Sequence, residues 1–199
     1  MDKNQKIKGL FFDFDGVITF EKQGTPTMLS YIARETQIPL DILDAAYRKY
    51  NKDLLYGRIT HKEMWKPFCE ETGRDIGYEV LEKSFLNVTL DEKIIQYIKA
   101  KKAAYLIGMI TDNKADRIYA IVNNSELKDL FDIIVISANV HSRKSEKRIF
   151  EEALKQSGLN ASECVFIDNT PANLEKPAEM GFTVIHFDDE KREYDKLIF

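Results

Sequence analysis

GLFFDFDGVIT, Gly9 to Thr19, sets Asp13 and Asp15 directly after an apolar run and ahead of Gly16. Two carboxylates two residues apart on an extended chain point the same way. Such like-charge crowding costs free energy and raises the proton affinity of at least one group. Chemistry is one reason to hold it. A turn is the other, because aspartate caps turns and Asp-Gly is a common turn pair. The choice rests on what the rest of the chain brings to the same place.

Five short apolar runs have the character of strands covered on both faces: Ile7–Phe12, Tyr105–Ile110, Asp132–Ser137, Cys164–Ile167 and Thr183–Phe187. Each is rich in β-branched or aromatic residues, too short for a helix, and continuous rather than alternating. Helical patterns separate the later runs. One places Ile149, Phe150, Ala153 and Leu154 on a single stripe and ends at Gly158; another ends at Gly181. Alternation of strand and helix predicts an α/β fold with a Rossmann-like parallel sheet.

The segment from Val17 to about Thr89 has no strand runs and reads as four helices, and a further helical pattern with Ile94, Ile95 and Ile98 leads into the second strand. One start is well specified: Thr60 and Glu63 are spaced as a capping box, with Ile59 and Met64 at staple spacing. The expected organisation is an α/β core formed by residues 1–16 and 90–199, carrying an all-helical insert at 17–89.

Ligands of open α/β sheets bind beyond the carboxyl ends of the strands. Asp13 and Asp15 follow the first strand. Thr111, Asp112, Asn113 and Lys114 follow the second, where Thr111 or Asn113 could cap the next helix and a hydroxyl with helix amides could hold phosphate. Lys144 follows the third, ahead of a helix whose expected N-cap is Ser145; a cation there opposes the helix dipole unless an anion lies between. Asp168 follows the fourth, with Thr170 and Pro171 suited to N-cap and N1. Each taken alone has a plain structural reading as a turn, a cap or a solvated basic face. Together, three carboxylates, a lysine and two helix starts suit Mg²⁺ and a phosphoryl group, since Mg²⁺ prefers hard oxygen ligands shared with substrate phosphate.

Composition narrows the classes. The chain has 199 residues, 44% of them hydrophobic, and a formal net charge of −4. That allows a sizeable core and argues against nucleic acid as a partner. Cys69 and Cys164 lack metal spacing and read as reduced core thiols, which suits the cytoplasm. The N-terminal stretch is not expected to be a signal peptide, and no apolar run approaches the ~20 residues of a membrane span. A soluble protein, a monomer or weak homodimer, is expected.

With these residues in place, the sequence resembles the haloacid dehalogenase-like (HAD) hydrolases. DFDGV resembles the first motif of that family, Thr111 its second, Lys144 in RKSEKRIF its third and FIDNTPAN its fourth. The insert lies where the family carries a helical cap, and Tyr56–Trp65 resembles a stretch of those caps. Within the family the chain is most similar to small bacterial sugar-phosphate phosphatases, the α-glucose-1-phosphate phosphatases among them. The resemblance implies Asp13 as nucleophile, forming an aspartyl-phosphate, and Asp15 as acid and then base, helped to hold its proton by negative neighbours. It implies Mg²⁺ held by Asp13, the Asp15 carbonyl and Asp168. Phosphate would be held by Thr111, Asp112, Asn113 and Lys144. Gly16 would let the chain turn beside the phosphate.

Two departures stand out. Asn169 occupies a position often acidic in the family, where an amide can still orient a metal-bound water, and Ser145 replaces a usual proline. The implied activity is hydrolysis of a small phosphorylated metabolite, a sugar phosphate or nucleotide. A phosphomutase would keep the same motifs, and a catalytically weak binding protein is the rival from another class. A dehalogenase would lack Asp15. For a phosphonatase Lys22 is a candidate by position alone. Thr19–Met28 is the stretch expected to contact substrate. His61 is expected at the surface, His141 near the third loop, His186 as structural, and Trp65 with Phe68 in the core of the insert.

Overall fold

A computed structural model describes residues 6–197; the first five residues of the polar lead and the last two residues of the chain lie outside the described residues. The five expected strands form: β1 (Gly9–Phe12), β2 (Leu106–Thr111), β3 (Ile133–Ile136), β4 (Cys164–Asp168) and β5 (Thr183–His186). They make one sheet in the order β3-β2-β1-β4-β5, with every neighbouring pair parallel. β1 is central, which explains its unbroken apolar run: Leu10, Phe11 and Phe12 are wholly buried. Phe11 pairs in register with Gly108. A Cβ at Gly108 would lie 2.3 Å from the Phe11 ring, so the glycine is the space that ring occupies.

Helices cover both faces. Leu10, Phe12, Ile107 and Ile167 pack with Ile94, Ile95 and Ile98 of α5 (Glu92–Lys101) and with Ile118 and Ile121 of α6 (Ala115–Asn123). Phe11, Ile110 and Phe166 pack on the other face with Ile149, Phe150 and Ala153 of α8 (Lys147–Ser157) and Leu174 of α9 (Pro171–Met180). Removing a buried ring such as Phe11 would cost about 3–5 kcal/mol.

Between β1 and α5 lie α1 (Gly24–Thr36), α2 (Leu40–Leu55), α3 (His61–Thr72) and α4 (Tyr78–Phe85). They share a separate core around Met28, Tyr47, Trp65, Phe68 and Phe85. Trp65 and Phe68 stack with ring centres 5.1 Å apart. The Thr60–Glu63 capping box forms as read: the Glu63 amide donates to Thr60 Oγ1 (3.2 Å) and the Thr60 amide to Glu63 Oε2 (2.7 Å). The chain leaves and re-enters the sheet domain through an antiparallel bridge between Thr19 and Leu90. The insert also touches the core at α7 (Ser137–Val140), a turn of helix that sequence periodicity is too short to show. A Cβ at Gly57 would lie 1.9 Å from the Ala138 carbonyl oxygen, and Gly57 has φ +61°. Only glycine fits both conditions.

Two helix starts differ from expectation. α8 begins at Lys147 with Glu146 as N-cap, not Ser145. α6 has Lys114 as N-cap, because Thr111 completes β2 and Asn113 directs its side chain into the site. His61 is wholly buried rather than at the surface. Its Nδ1 meets the Asp116 carboxylate at 2.7 Å and its Nε2 meets the Tyr47 hydroxyl at 2.8 Å. His141 touches the Tyr56 carbonyl, and His186 is exposed near the Asn169 carbonyl. Both cysteines are buried and unpaired. Among the described residues no helix is long and apolar enough to cross a membrane.

Candidate active site

A cavity of about 340 Å³ opens at the carboxyl ends of β1, β2 and β4. Asp13, Asp15, Thr111, Asp112, Asn113, Lys144 and Asn169 all line it. Parallel pairing is the cause. With all strands running one way, every residue that follows a strand arrives at the same edge.

Lys144 is the centre of charge. Its Nζ lies 2.7 Å from Asp13 Oδ1 and 2.6 Å from Asp168 Oδ2, and all three groups are buried. Burial alone would lower this lysine, but Asp13, Asp168 and Asp112 outweigh it and hold it above its ordinary range. Burial, and then the Asp168 charge, push Asp13 up to about 8, against the lowering by Lys144 and the Phe14 amide. Asp13 Oδ1 accepts from both Lys144 and the Phe14 amide. Oδ2 is the oxygen those bonds leave for chemistry. Asp168 accepts from the Thr170 amide and the Asn173 side chain, so the first turn of α9 aims it.

Asp15 has a different environment from the one expected. Its close neighbour is a cation, not a negative group. Arg117 Nη2 donates to Asp15 Oδ1 (2.8 Å) and Nη1 to Oδ2 (2.9 Å), while Asn113 Nδ2 donates to Oδ2 (2.7 Å). Arg117 is buried and also donates to Asn113 Oδ1. The reading of the sequence missed it. The available signal was a charged residue beside the apolar stripe of Ile118, Ile121 and Val122.

Other expected residues take up supporting positions. Asp112 accepts from Arg143 Nε (3.0 Å) and the Lys144 amide (2.9 Å), which ties the loop after β2 to the loop after β3. Thr111 is buried at the end of β2. Asn169 donates to Asp189 (2.9 Å) and lies against Gly16. Gly16 has φ +83°, and a Cβ there would fall 2.3 Å from Asn169 Nδ2. Of the Thr19–Met28 stretch, Lys22, Gln23, Gly24, Thr25 and Pro26 line the cavity. Lys22 pairs with Asp189 and Glu190. Arg192 was invisible in the sequence. Its guanidinium donates to the carbonyls of Gly16 (2.8 Å) and Val17 (2.8 Å) and to Asp91, which braces the loop carrying Asp15.

The donor set can hold a hard divalent cation. Asp13 and Asp168 are two buried carboxylates facing a single ammonium, and Asp168 is the second largest cause of the upward shift of Asp13. A divalent ion would relieve that repulsion. Among the described residues no cluster of three His, Cys, Asp or Glu side chains has the arrangement of a metal site. The remaining ligands would be a backbone carbonyl, water and substrate oxygen, as Mg²⁺ commonly accepts.

Comparison with known proteins agrees with this geometry. The D-ribitol-5-phosphate phosphatase of Bacteroides thetaiotaomicron is 24% identical over 88% of this chain and 89% of that protein. The (S)-2-haloacid dehalogenase of Pseudomonas putida is 23% identical over 76% of this chain and 64% of that protein. Rat bifunctional epoxide hydrolase 2 is 24% identical over 87% of this chain, which spans only 35% of the length of that protein. Among solved structures, a HAD family enzyme from B. thetaiotaomicron superposes with a TM-score of 0.76 at 16% identity, covering 98% of this chain and 100% of that one. That enzyme has also been solved with magnesium and inorganic phosphate. The sequence profile of the haloacid dehalogenase-like hydrolases matches residues 7–181, and the chain belongs to that family.

Proposed function

We propose that the protein is a Mg²⁺-dependent phosphatase that hydrolyses small phosphomonoesters, sugar phosphates or nucleotides, through an aspartyl-phosphate on Asp13. The observation that carries this reading is the Lys144 ammonium held between Asp13 and Asp168 on the floor of a cavity that Asp15 also lines. A phosphomonoester is dianionic and needs such a cation. The relative that acts on D-ribitol 5-phosphate and the neighbour solved with magnesium and phosphate support it.

Asp13 Oδ2 attacks phosphorus while Lys144 and the Phe14 amide keep Oδ1 in place. Asp15 gives a proton to the leaving oxygen and then takes one from the water that cleaves the acyl-phosphate. The Arg117 fork and Asn113 set the direction of its carboxyl group. Lys144 and Thr111 hold the other phosphoryl oxygens, and positioning with charge stabilisation is the greater part of such a transfer. Asp13, Asp168 and the Asp15 carbonyl would hold Mg²⁺, which when bound supplies charge neutralisation at the phosphoryl oxygens. Asp112 organises the grip by orienting Arg143 and the Lys144 amide. Asn169, which lines the same cavity, would orient a water bound to that ion.

The helical insert at 17–89 acts as a cap, and its α1 start closes one side of the cavity. That enclosure favours small metabolites over proteins. Two buried, unpaired cysteines suit a cytoplasmic setting. Asp15 counts against dehalogenation, which the family performs without a second aspartate in its first motif. Phosphomutase activity is the second reading, supported by the same residues. The test is phosphate release from a panel of phosphoesters, with Mg²⁺ and with EDTA, for the wild type and Asp13→Asn. Metal-dependent release that disappears in the variant supports the phosphatase. Isomerised phosphoester without free phosphate would establish the mutase.

A further inference from the structure

Among the polar groups that line the cavity without a part in the phosphoryl grip are Thr25 of α1, Asn51 of α2 and Lys114 at the start of α6. Lys114 is only 6% exposed, yet among the described residues it has no carboxylate at ion-pair distance. Its Nζ donates to Thr25 Oγ1 at 2.7 Å and lies 5.5 Å from the centre of the Tyr47 ring. Burial, and then the Arg117 charge, lower it to about 7. Asn51 Oδ1 is buried and no described residue donates to it. Buried amide oxygens are nearly always paired, and one left over at a cavity wall points to a donor on a ligand.

We infer that Asn51, Thr25 and Lys114 form the leaving-group subsite and that it takes a polyhydroxylated chain or ring, a sugar or sugar alcohol. The inference rests on phosphoryl transfer at Asp13. A hydroxyl is donor and acceptor at once. It can give its proton to Asn51 Oδ1 and accept from Lys114, so one chemical group satisfies both sides of the subsite. A carboxylate or second phosphate would suit Lys114 but would bring no donor to Asn51. A nucleobase would need a flat apolar face for stacking. Among the lining residues none is aromatic, and Pro26 and Leu55 are the apolar side chains. Because Asn51 and Thr25 come from the insert and Lys114 from the core, the subsite selects its ligand only where the two meet.

The test compares kcat/KM for a pentitol phosphate, phosphoglycolate, adenosine 5′-monophosphate and p-nitrophenyl phosphate, using the wild type, Asn51→Leu and Lys114→Met. Thermal melts confirm that each variant is folded. The expected wild-type preference is for the pentitol phosphate. The ratio of pentitol to p-nitrophenyl turnover should fall roughly 10- to 100-fold in each variant, the loss of one or two substrate hydrogen bonds. An unchanged ratio in both variants overturns the subsite, as does a wild type that prefers phosphoglycolate or the nucleotide. If the wild type cleaves no ester, the phosphatase reading has failed and calorimetry decides the subsite. Pentitol phosphate binding more tightly than inorganic phosphate, with the advantage lost in Asn51→Leu, upholds it; equal affinities overturn it.

Discussion

Arg117 spans both oxygens of Asp15, with Nη2 to Oδ1 at 2.8 Å and Nη1 to Oδ2 at 2.9 Å. The two groups are 102 residues apart in the chain. A planar guanidinium fixes the plane of a carboxylate as well as its position, which an ammonium cannot do. The acid/base proposed for this site is therefore oriented from α6, an element of the sheet domain, and not from its own loop.

Arg117→Met should lower kcat about 10²-fold, the lower range for one acid/base group, with little change in the affinity for inorganic phosphate. Arg117→Lys should recover little, because the fork is lost. A gentler test is Gly24→Ala. The new Cβ would sit 2.2 Å from Arg117 Cζ and push the guanidinium off Asp15. Steady-state kinetics should show a fall in kcat in the same direction, and unchanged kcat in both Arg117→Met and Gly24→Ala would remove the orienting role.

Metal dependence should follow Asp168. EDTA should abolish turnover and added Mg²⁺ restore it. Asp168→Asn should raise the Mg²⁺ concentration for half-maximal rate at least about 10-fold. Titration of activity against Mg²⁺ measures this directly. Equal Mg²⁺ requirements in the two proteins would mean that Asp168 serves only to hold Lys144.

Lys114 makes stability depend on pH on the alkaline side. Its folded value is about 7, below the 10.5 of a free lysine, so the unfolded chain binds the extra proton between those limits. Stability then rises with pH across that window and carries the full cost of the buried charge below pH 7. Lys114→Met should be more stable than the wild type at pH 6, by roughly 2–4 °C in Tm for each kcal/mol relieved, and the gap should close toward pH 10. Melting curves at pH 6, 8 and 9.5 check the sign.

His61 acts in the same direction at lower pH. Burial holds it below its ordinary 6.5, with the Asp116 hydrogen bond opposing in part. The unfolded chain takes up a proton below that pH before the folded chain does, so stability should fall as pH drops through 6.5. His61→Leu should flatten that fall. At pH 8 the variant should be about 1–3 kcal/mol less stable, because the Tyr47 hydroxyl loses its partner. Urea unfolding at pH 5.5 and 8 separates the two effects.

Much of the fold is written locally. Runs such as Leu10–Phe12 and Val165–Ile167 are apolar on both faces because helices cover both sides of a parallel strand, and that pattern needs no tertiary information to recognise. The Thr60–Glu63 capping box formed because its partners are three residues apart. α8 has its N-cap one residue later than the spacing predicts, since Glu146 as well as Ser145 can take extended backbone and the Glu146 side chain is drawn to Tyr56 and Ser142. His61 misled for a related reason. The first turn of a helix is exposed in isolation, and here the core helix α6 covers it with Asp116.

By itself the sequence determined the five strands, the helical insert and the motif residues that follow each strand, because short-range periodicity and strand direction carry that information. Only the tertiary structure decided that Arg117 grips Asp15, that Arg192 braces the Gly16 loop, and that Asn51 and Lys114 face one cavity. Those relationships join residues dozens of positions apart through side chains whose burial depends on how the insert sits on the sheet. No local pattern encodes them, since a buried arginine and a solvated one look the same in a sequence until the surface that covers them is known.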